Sequence, residues 1–308
     1  MRKRENFIIV GVDHGYGNIK TASKIFPSGI FETNPEQIMG DKLLIYENKC
    51  YLIGQGHKEF VADKFLDNEY YILTLAAIAE ELSTQGITNA NIHIAAGVPL
   101  TWLGSQAKHF KEYLSQKQSV DFRYKNRNYR LNIVGVDIFP QGFSAVADKL
   151  YMFKGTNMLA DIGNGTINIM NINNEKPDVE NCFTEKFGTN QCAIQIREKV
   201  MQKYHTPIAD STITDVLRFG TADISEKYLS IMQEEAMEYT EKIFEKLRSH
   251  EYNPETMKLY IVGGGGCLIK NFGVYDKNRV FINEDIHATA NGYEYLAELN
   301  MRKGGGNK

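Results

Sequence analysis

The sequence contains no Gly-Lys-Ser or Gly-Lys-Thr tripeptide, which excludes a Walker A phosphate loop. Its four cysteines, at 50, 182, 192 and 267, have no Cys-x-x-Cys or other ligand spacing, so reduced, mostly buried thiols are expected and no zinc site. Neither charge is in surplus. With 35 Lys+Arg against 38 Asp+Glu and a net charge of -3, nothing drives the whole molecule toward nucleic acid, and any acidic partner would be met by a local patch. Long apolar runs are missing too. The longest, Ile72 to Ala79, is far shorter than a bilayer span, and the opening Met-Arg-Lys-Arg runs into a strand rather than a secretory h-region. These absences imply a cytoplasmic protein with no membrane partner.

What is present belongs to a folded globular chain, 43% hydrophobic and 24% charged. At 308 residues the chain exceeds what one core usually supports, so two domains are expected. Apolar patterning predicts a strand over Phe7 to Val12, a turn at Asp13-His14-Gly15-Tyr16-Gly17-Asn18, and a returning strand over Ile19 to Phe26. Short strands follow at Lys42 to Tyr46 and Cys50 to Ile53, in what reads as a small peripheral subdomain. Tyr70 to Thr84 is apolar nearly all round and stops before Gly86, which suits a buried helix. A strand (Asn91 to Ala96), a helix (Thr101 to Gln116), a hairpin turning at Lys125-Asn126-Arg127-Asn128, and a helix (Phe143 to Phe153) complete the first half.

The second half restarts the pattern. Asn157 to Ala160 is a strand, Asp161-Ile162-Gly163-Asn164-Gly165-Thr166 a turn, and Ile167 to Ile172 a returning strand. Ala193 to Tyr204 is helical. Ser225 to Ser249 is a long amphipathic helix with Leu229, Met232, Ala236, Tyr239, Ile243 and Leu247 on one face. The strand Leu259 to Val262 then leads into four glycines, Gly263 to Gly266, and a short helix. His287 to Met301 is a terminal helix, and the Gly-rich tail 304–308 is expected to be disordered.

A strand that ends in Asp-x-Gly-x-Gly and at once returns can wrap consecutive backbone N–H groups around a tight concavity, which suits phosphate oxygens. Glycines there would permit positive φ and close approach. Asp13 and Asp161 each sit where an apolar strand meets such a turn, placed to aim a carboxylate at the ion that neutralises phosphate, magnesium held mainly through water. One such turn would be an ordinary hairpin. Two, from 13 to 161 nearly half the chain apart, are the mark of a duplication in which both turns meet one polyphosphate. The glycine run at Gly263 has Leu268 where a dinucleotide fingerprint needs its third glycine. His14, His57, His93 and His287 show no catalytic spacing and read as structural.

These segments, in their order, resemble the motifs of the superfamily of actin, sugar kinases and heat-shock chaperones, and within it the bacterial plasmid-segregation actins of ParM/StbA type. Val12 to Lys20 is similar to the first phosphate motif, Val136 to Ala145 to the first connecting motif, and Leu159 to Ile169 to the second phosphate motif. Ile261 to Ile269 is similar to the adenosine motif and Ala290-Asn291-Gly292-Tyr293 to the second connecting motif. The resemblance implies an α/β actin-like fold: two duplicated ribonuclease-H-like domains around a nucleotide cleft, each with a peripheral subdomain. The first domain would be 1–154 plus 285–308, with its small subdomain near 33–90, and the second 155–284. It also implies an ATPase or GTPase, loaded with Mg2+ and ATP or GTP, that assembles with copies of itself into dynamic filaments. DNA would be reached indirectly, through a small DNA-binding adaptor.

Roles carried over by the resemblance are these. Asp13 and Asp161 would orient magnesium, and Gly15, Tyr16, Gly17 and Asn18, with Gly163, Asn164, Gly165 and Thr166, would wrap the phosphates. Lys20 would stabilise phosphate charge, and Gln141 would position the attacking water. Gly263, Gly264, Gly265 and Gly266 would lie against the nucleoside, with Gln191 and Gln195 on its other side. The chain departs from the pattern at Tyr16 and Gly17, where hydroxyl side chains are frequent, and at Asn168, where many relatives carry an acid; slow turnover is the expected result. A small-molecule kinase of the same superfamily is the alternative, but no acidic motif in the first half offers a general base. A chaperone would need a further peptide-binding domain, and a membrane-anchored division actin a terminal amphipathic helix. The basic stretch Arg123 to Arg130 is read as a solvated hairpin rather than a nucleic-acid contact.

Overall fold

The computed structural model describes residues 1–34, 42–55 and 68–304. His57, much of the expected small subdomain near 33–90, and the tail beyond Gly304 lie outside these residues. The chain divides into two compact units, Met1–Asp148 with His287–Lys308, and Lys149–Ile286.

The first unit carries β1 (Arg2–Lys3), β2 (Ile8–His14), β3 (Asn18–Lys20), β4 (Ile25–Pro27), β5 (Ile30–Thr33), β6 (Leu43–Tyr46) and β7 (Lys49–Ile53). Then come α1 (Glu69–Ser83), β8 (Asn89–Val98), α2 (Leu103–Leu114), β9 (Ser119–Tyr124) and β10 (Arg127–Pro140). One sheet runs β4-β3-β2-β8-β10-β9-β6-β7-β5, with β1 beside β2. Strand β2 is buried along its whole length, as a β-branched strand with neighbours on both sides should be. Twelve of the fifteen α1 residues are buried, so this helix is a core element, as its all-round apolar character predicts.

The second unit carries β11 (Thr156–Ile162), β12 (Ile167–Asn173), β13 (Lys176–Glu185), α3 (Thr189–Tyr204), α4 (Asp210–Phe219), α5 (Glu226–Ser249), β14 (Lys258–Val262), α6 (Gly266–Phe272) and β15 (Val280–Ile282). Its sheet order is β13-β12-β11-β14-β15. That is the order β4-β3-β2-β8-β10 over again: an antiparallel pair of pairs on one side of the first strand, and two parallel neighbours on the other. The duplication seen as two Asp-x-Gly turns is thus a duplication of a five-strand topology. The six residues of the predicted α5 stripe are all buried in the second unit's core. The last helix, α7 (Ala288–Gly304), returns to the first unit, where Tyr293 and Ala297 pack with Ile9, Ala95 and Phe139.

Several predicted elements differ in detail. The returning strand over 19–26 is two strands, because Thr21, Ser23 and Lys24 turn back: the Thr21 N–H donates to the Lys24 carbonyl at 2.9 Å. A buried carboxylate of α1, Glu81, accepts from the Thr21 hydroxyl and from the Ser23 N–H, so polar residues there cannot continue an apolar strand. The β9–β10 turn is two residues, Lys125-Asn126, not four; both have positive φ, as in the tight β6–β7 turn at Glu47-Asn48. The predicted helix over 143–153 is a 3-10 helix, Phe143–Met152, with bonds such as Ala145 N–H to Gly142 O at 3.0 Å. The predicted helix over 101–116 likewise begins as a 3-10 turn, Leu100–Trp102, after Pro99. The sequence patterning predicts none of β1, β5, β13, β15 and α4. Strand β13 is an edge strand rich in Lys, Pro, Asp and Glu, with no apolar alternation to reveal it.

Candidate functional site

In the first unit β2 delivers Asp13 to the end of the sheet, and the chain reverses through a two-residue tip, Tyr16-Gly17. The register pairs Asp13 with Lys20 and His14 with Ile19, and the Gly15 N–H closes the turn on the Asn18 carbonyl at 3.1 Å. Lys20 Nζ lies 3.0 Å from Asp13 Oδ2. From the end of β10, Gln141 donates its Nε2 to Asp13 Oδ1 at 3.4 Å, its own main chain pinned by a 2.9 Å bond to the Val98 carbonyl. Asp13, Lys20 and Gln141 are therefore one cluster. With the amide nitrogen on Asp13, Oε1 is the end of Gln141 able to accept a hydrogen bond.

The second unit repeats the geometry. Asp161 pairs with Asn168 and Ile162 with Ile167, and the Gly163 N–H closes on the Thr166 carbonyl at 2.8 Å. The tip is Asn164-Gly165. No glycine of either turn has positive φ, so the expected left-handed turn residues are not what shapes them; two-residue hairpins of matched register do. Asn168 accepts a 2.9 Å bond from the Thr184 hydroxyl on β13, which orients its amide and which no sequence signal foretold. The first amides of α3 hold the turn from below: Thr189 N–H bonds the Gly163 carbonyl at 3.1 Å and Asn190 N–H the Asn164 carbonyl at 2.8 Å.

The glycine run sits directly against this turn. Gly263 has φ +86, and a Cβ there would fall 2.5 Å from Asp161 Oδ1 and 2.6 Å from the Ile162 carbonyl, so only glycine fits. Gly265 N–H bonds the Ile162 carbonyl at 2.9 Å. Asp161, the 163–166 turn, Gly263–Gly266 and the start of α3 thus form a second cluster. Within it Gln191 caps α3, its Oε1 accepting from the Gly188 N–H at 2.9 Å. The Oε1 of Gln195, one turn on, is buried with no hydrogen-bond partner.

The two connecting motifs also meet. A Cβ on Gly292 of α7 would lie 1.8 Å from the Ser144 carbonyl, so the glycine lets the helix rest on the 3-10 segment that follows Gln141. The histidines are held in packing roles: Nε2 of His14 bonds the Thr74 hydroxyl at 2.7 Å between the rings of Tyr70 and Phe110, and Nδ1 of His287 bonds the Thr21 carbonyl at 2.8 Å. His93 pairs with Asp137 at 3.1 Å. Burial alone pushes the Tyr16 hydroxyl well above the ordinary tyrosine range. Two of the four cations of the basic hairpin are ion-paired, Lys125 with Glu80 of α1 and Arg130 with Asp121 across the hairpin, and Arg123 donates to the Asn126 amide oxygen at 3.1 Å. Among the described residues no group of three or more His, Cys, Asp or Glu side chains could hold a metal alone. In each unit by itself the aspartate, Asp13 in one and Asp161 in the other, offers carboxylate oxygen of the kind a hard divalent ion takes, whose other ligands would be water and phosphate. A separate cavity of about 350 Å3, between α5 and the α6–β15 loop, is lined by Phe244, Arg248, Tyr252 and Tyr275 and includes none of the predicted site residues.

Residues 11–143 match the family described as Actin like proteins N terminal domain. No curated protein matches the chain in sequence. Among solved structures, the archaeal actin homologue Ta0583 is 21% identical, with 95% of this chain and 99% of that one covered and a TM-score of 0.78; it has also been solved in complex with ADP. Bacillus thuringiensis ParM, solved with ATP, is 13% identical over 96% of this chain and 100% of that one, with a TM-score of 0.72. Alp12, solved as a filament, is 14% identical over 97% and 100%, with a TM-score of 0.70. Likeness at these identities speaks for the fold, and the expected resemblance is borne out on it.

Proposed function

The chain has the actin-like fold, and on that premise we propose that it is a nucleotide-dependent, polymer-forming NTPase. The observation that carries the reading is the pair of hairpins with one register, Asp13 across from Lys20 and Asp161 across from Asn168, each closed by a bond from its first glycine. In this reading the two turns, Gly15 to Asn18 and Gly163 to Thr166, hold the phosphates of ATP or GTP through main-chain N–H groups. Lys20 adds a cation to the phosphate charge. Asp13 and Asp161 hold the waters of a magnesium ion, whose chemistry there is to neutralise the phosphate oxygens.

Gln141 takes the catalytic part. Its amide nitrogen is anchored on Asp13, so Oε1 is free to accept from a water and orient it for attack. A neutral amide positions but does not deprotonate, and Asn168 adds no base, so hydrolysis is slow on this reading. Gly263–Gly266 forms the bare backbone against which the nucleoside rests. Gln195 Oε1, buried and unpartnered, suits a donor of the base or the ribose, while Gln191 acts through the α3 cap.

Slow hydrolysis fits a filament that assembles with nucleotide and is later released. The ADP- and ATP-bound relatives and the Alp12 filament support this, as does the likeness to ParM for a role in moving plasmid or mobile-element DNA through a DNA-bound adaptor in the cytoplasm. The test is sedimentation and light scattering of the purified protein with Mg2+ and ATP or GTP, alongside phosphate release. Polymer with one or both triphosphates, decaying as phosphate appears, is expected; no polymer with either would sink the reading.

A further inference from the structure

The cavity of about 350 Å3 in the second unit has no part in the nucleotide reading. Helix α5 leads into it through a specific end. Glu251 is left-handed at φ +70, its N–H bonds the Arg248 carbonyl at 3.1 Å, and the Tyr252 N–H bonds the Leu247 carbonyl at 3.0 Å. This pair of bonds closes a helix on the residue two past its cap, and it turns Tyr252 back against the last turn of α5. Tyr252 is 5% exposed there, and the rings of Phe244 and Tyr275, 6.3 Å apart, supply the other aromatic walls.

The far side of the cavity is the α6–β15 loop. The Asp276 carbonyl accepts from the N–H groups of Arg279 and Val280, each at 3.0 Å, and the Asp276 carboxylate from the Asn278 N–H at 2.8 Å, so the loop is tied to itself as it enters β15. Arg279 Nε donates to the Pro254 carbonyl at 2.7 Å. With main chain and Nε fixed, the remaining donors of this guanidinium are those on its two terminal nitrogens. Arg248, from α5, has no ion pair and no side-chain hydrogen bond among the described residues, although Glu245 lies one turn before it. Both cations act on one group. Burial lifts the Tyr252 hydroxyl above its ordinary pKa, and Arg279, Asp276 and Arg248 are the charges felt there, the two arginines lowering it and Asp276 raising it.

Two guanidinium groups, one of them pinned, therefore converge on a buried phenol inside an aromatic-walled cavity. Guanidinium forks suit a planar carboxylate. The cavity's own carboxylates, Glu241, Glu245 and Asp276, outnumber its two cations, which disfavours a doubly charged phosphate and leaves a monoanion. The volume lies at the lower end of the range that small organic ligands occupy, about 300–1,000 Å3. That points to a free small molecule rather than a folded partner.

We propose that this cavity binds a small aryl carboxylate: its ring enters among Phe244, Tyr252 and Tyr275, and its carboxylate meets Arg248, Arg279 and the Tyr252 hydroxyl. The site lies wholly within the second unit and needs no nucleotide.

The experiment titrates the full chain, without nucleotide, with phenylacetate and with indoleacetate, and follows the tyrosine ring resonances by NMR. Phenylacetamide, of the same shape without the charge, is one control. Benzyltrimethylammonium, which an aromatic cage rimmed by carboxylates would take instead, is the other. Saturable shifts of Tyr252 and Tyr275 with at least one of the carboxylates are expected, with phenylacetamide bound about tenfold more weakly or worse. Arg248→Gln, at an exposed position with no side-chain bond to lose, should melt as wild type does and bind the carboxylate about tenfold more weakly, its affinity for phenylacetamide unchanged. Saturation with neither carboxylate, equal affinity for phenylacetamide, tighter binding of the ammonium, or a carboxylate affinity untouched by Arg248→Gln would overturn the proposal. With no nucleotide present, none of these outcomes bears on the filament reading.

Discussion

Asp13 and Lys20 face each other across the first hairpin with Nζ 3.0 Å from Oδ2, while at the same place in the second hairpin Asp161 faces Asn168, a neutral amide held by Thr184. The duplicated turns are therefore electrostatically unequal. One aspartate faces a cation across its hairpin; the other faces an amide.

Asp161→Ala should slow hydrolysis by roughly 10²-fold or more. Asp13→Ala should slow hydrolysis and lower the melting temperature, since it also breaks the pair with Lys20 and the bond from Gln141. Phosphate release and thermal melting check the two variants, and an unchanged melting temperature in Asp13→Ala would contradict a part for the Lys20 pair in stability.

Gln141→Ala should slow hydrolysis by roughly 10²-fold while nucleotide affinity changes little, because the side chain touches Asp13 and not the phosphate turn itself. Single-turnover phosphate release beside calorimetry measures the split. A parallel fall in affinity and rate would assign Gln141 to binding.

Gly263→Ala should cost about 1–3 kcal/mol and abolish nucleotide binding together, since the new Cβ at φ +86 would push on Asp161 Oδ1 and the Ile162 carbonyl. Chemical denaturation and titration read both effects. Gly264→Ala, where a Cβ meets nothing within 4 Å, is the control for stability.

The Asp137 carboxyl is held below the ordinary aspartate range, first by its hydrogen bond from His93. A lowered folded value means stability present in full above the unfolded pKa of about 3.9 and lost as pH falls through the folded one. Urea midpoints between pH 3 and 7 should therefore drop on the acid side in wild type, and His93→Leu should flatten that part of the profile.

Thiol reactivity should be ordered by burial. Burial pushes the Cys192 thiol up to about 12 and the Cys182 thiol up to about 11, the latter with help from Asp178. Cys267, half-buried and next to Gly266, should alkylate before Cys192, and nucleotide should slow it if Gly263–Gly266 receives the nucleoside. Mass-spectrometric mapping of alkylation with and without ATP or GTP checks the order and the protection.

Much of this was open to reading because it is local. The strand-turn-strand around Asp13 and around Asp161 follows from β-branched residues running into Asp-x-Gly-x-Gly, and the buried stripe of α5 from apolar spacing. Strand β13 was not legible, since an edge strand needs no apolar alternation, and its Thr184 could not be linked to Asn168 sixteen positions earlier. The 3-10 form of 143–152 was equally hidden, because an i to i+3 or i+4 choice depends on what packs above it, here Gly292 on the Ser144 carbonyl.

The sequence by itself determined that two matched turns exist and which residues flank them, because hairpins and strand ends are set by neighbours a few positions apart. Only the tertiary structure decided what each turn leans on: Ser28 under the first, the α3 amides under the second, Gln141 beside Asp13 and Gly263 beside Asp161. Those relations join residues from 11 to 128 positions apart. Distance along the chain carries no record of them, since hydrogen bonds and close backbone approach act only once the sheets have brought the groups together.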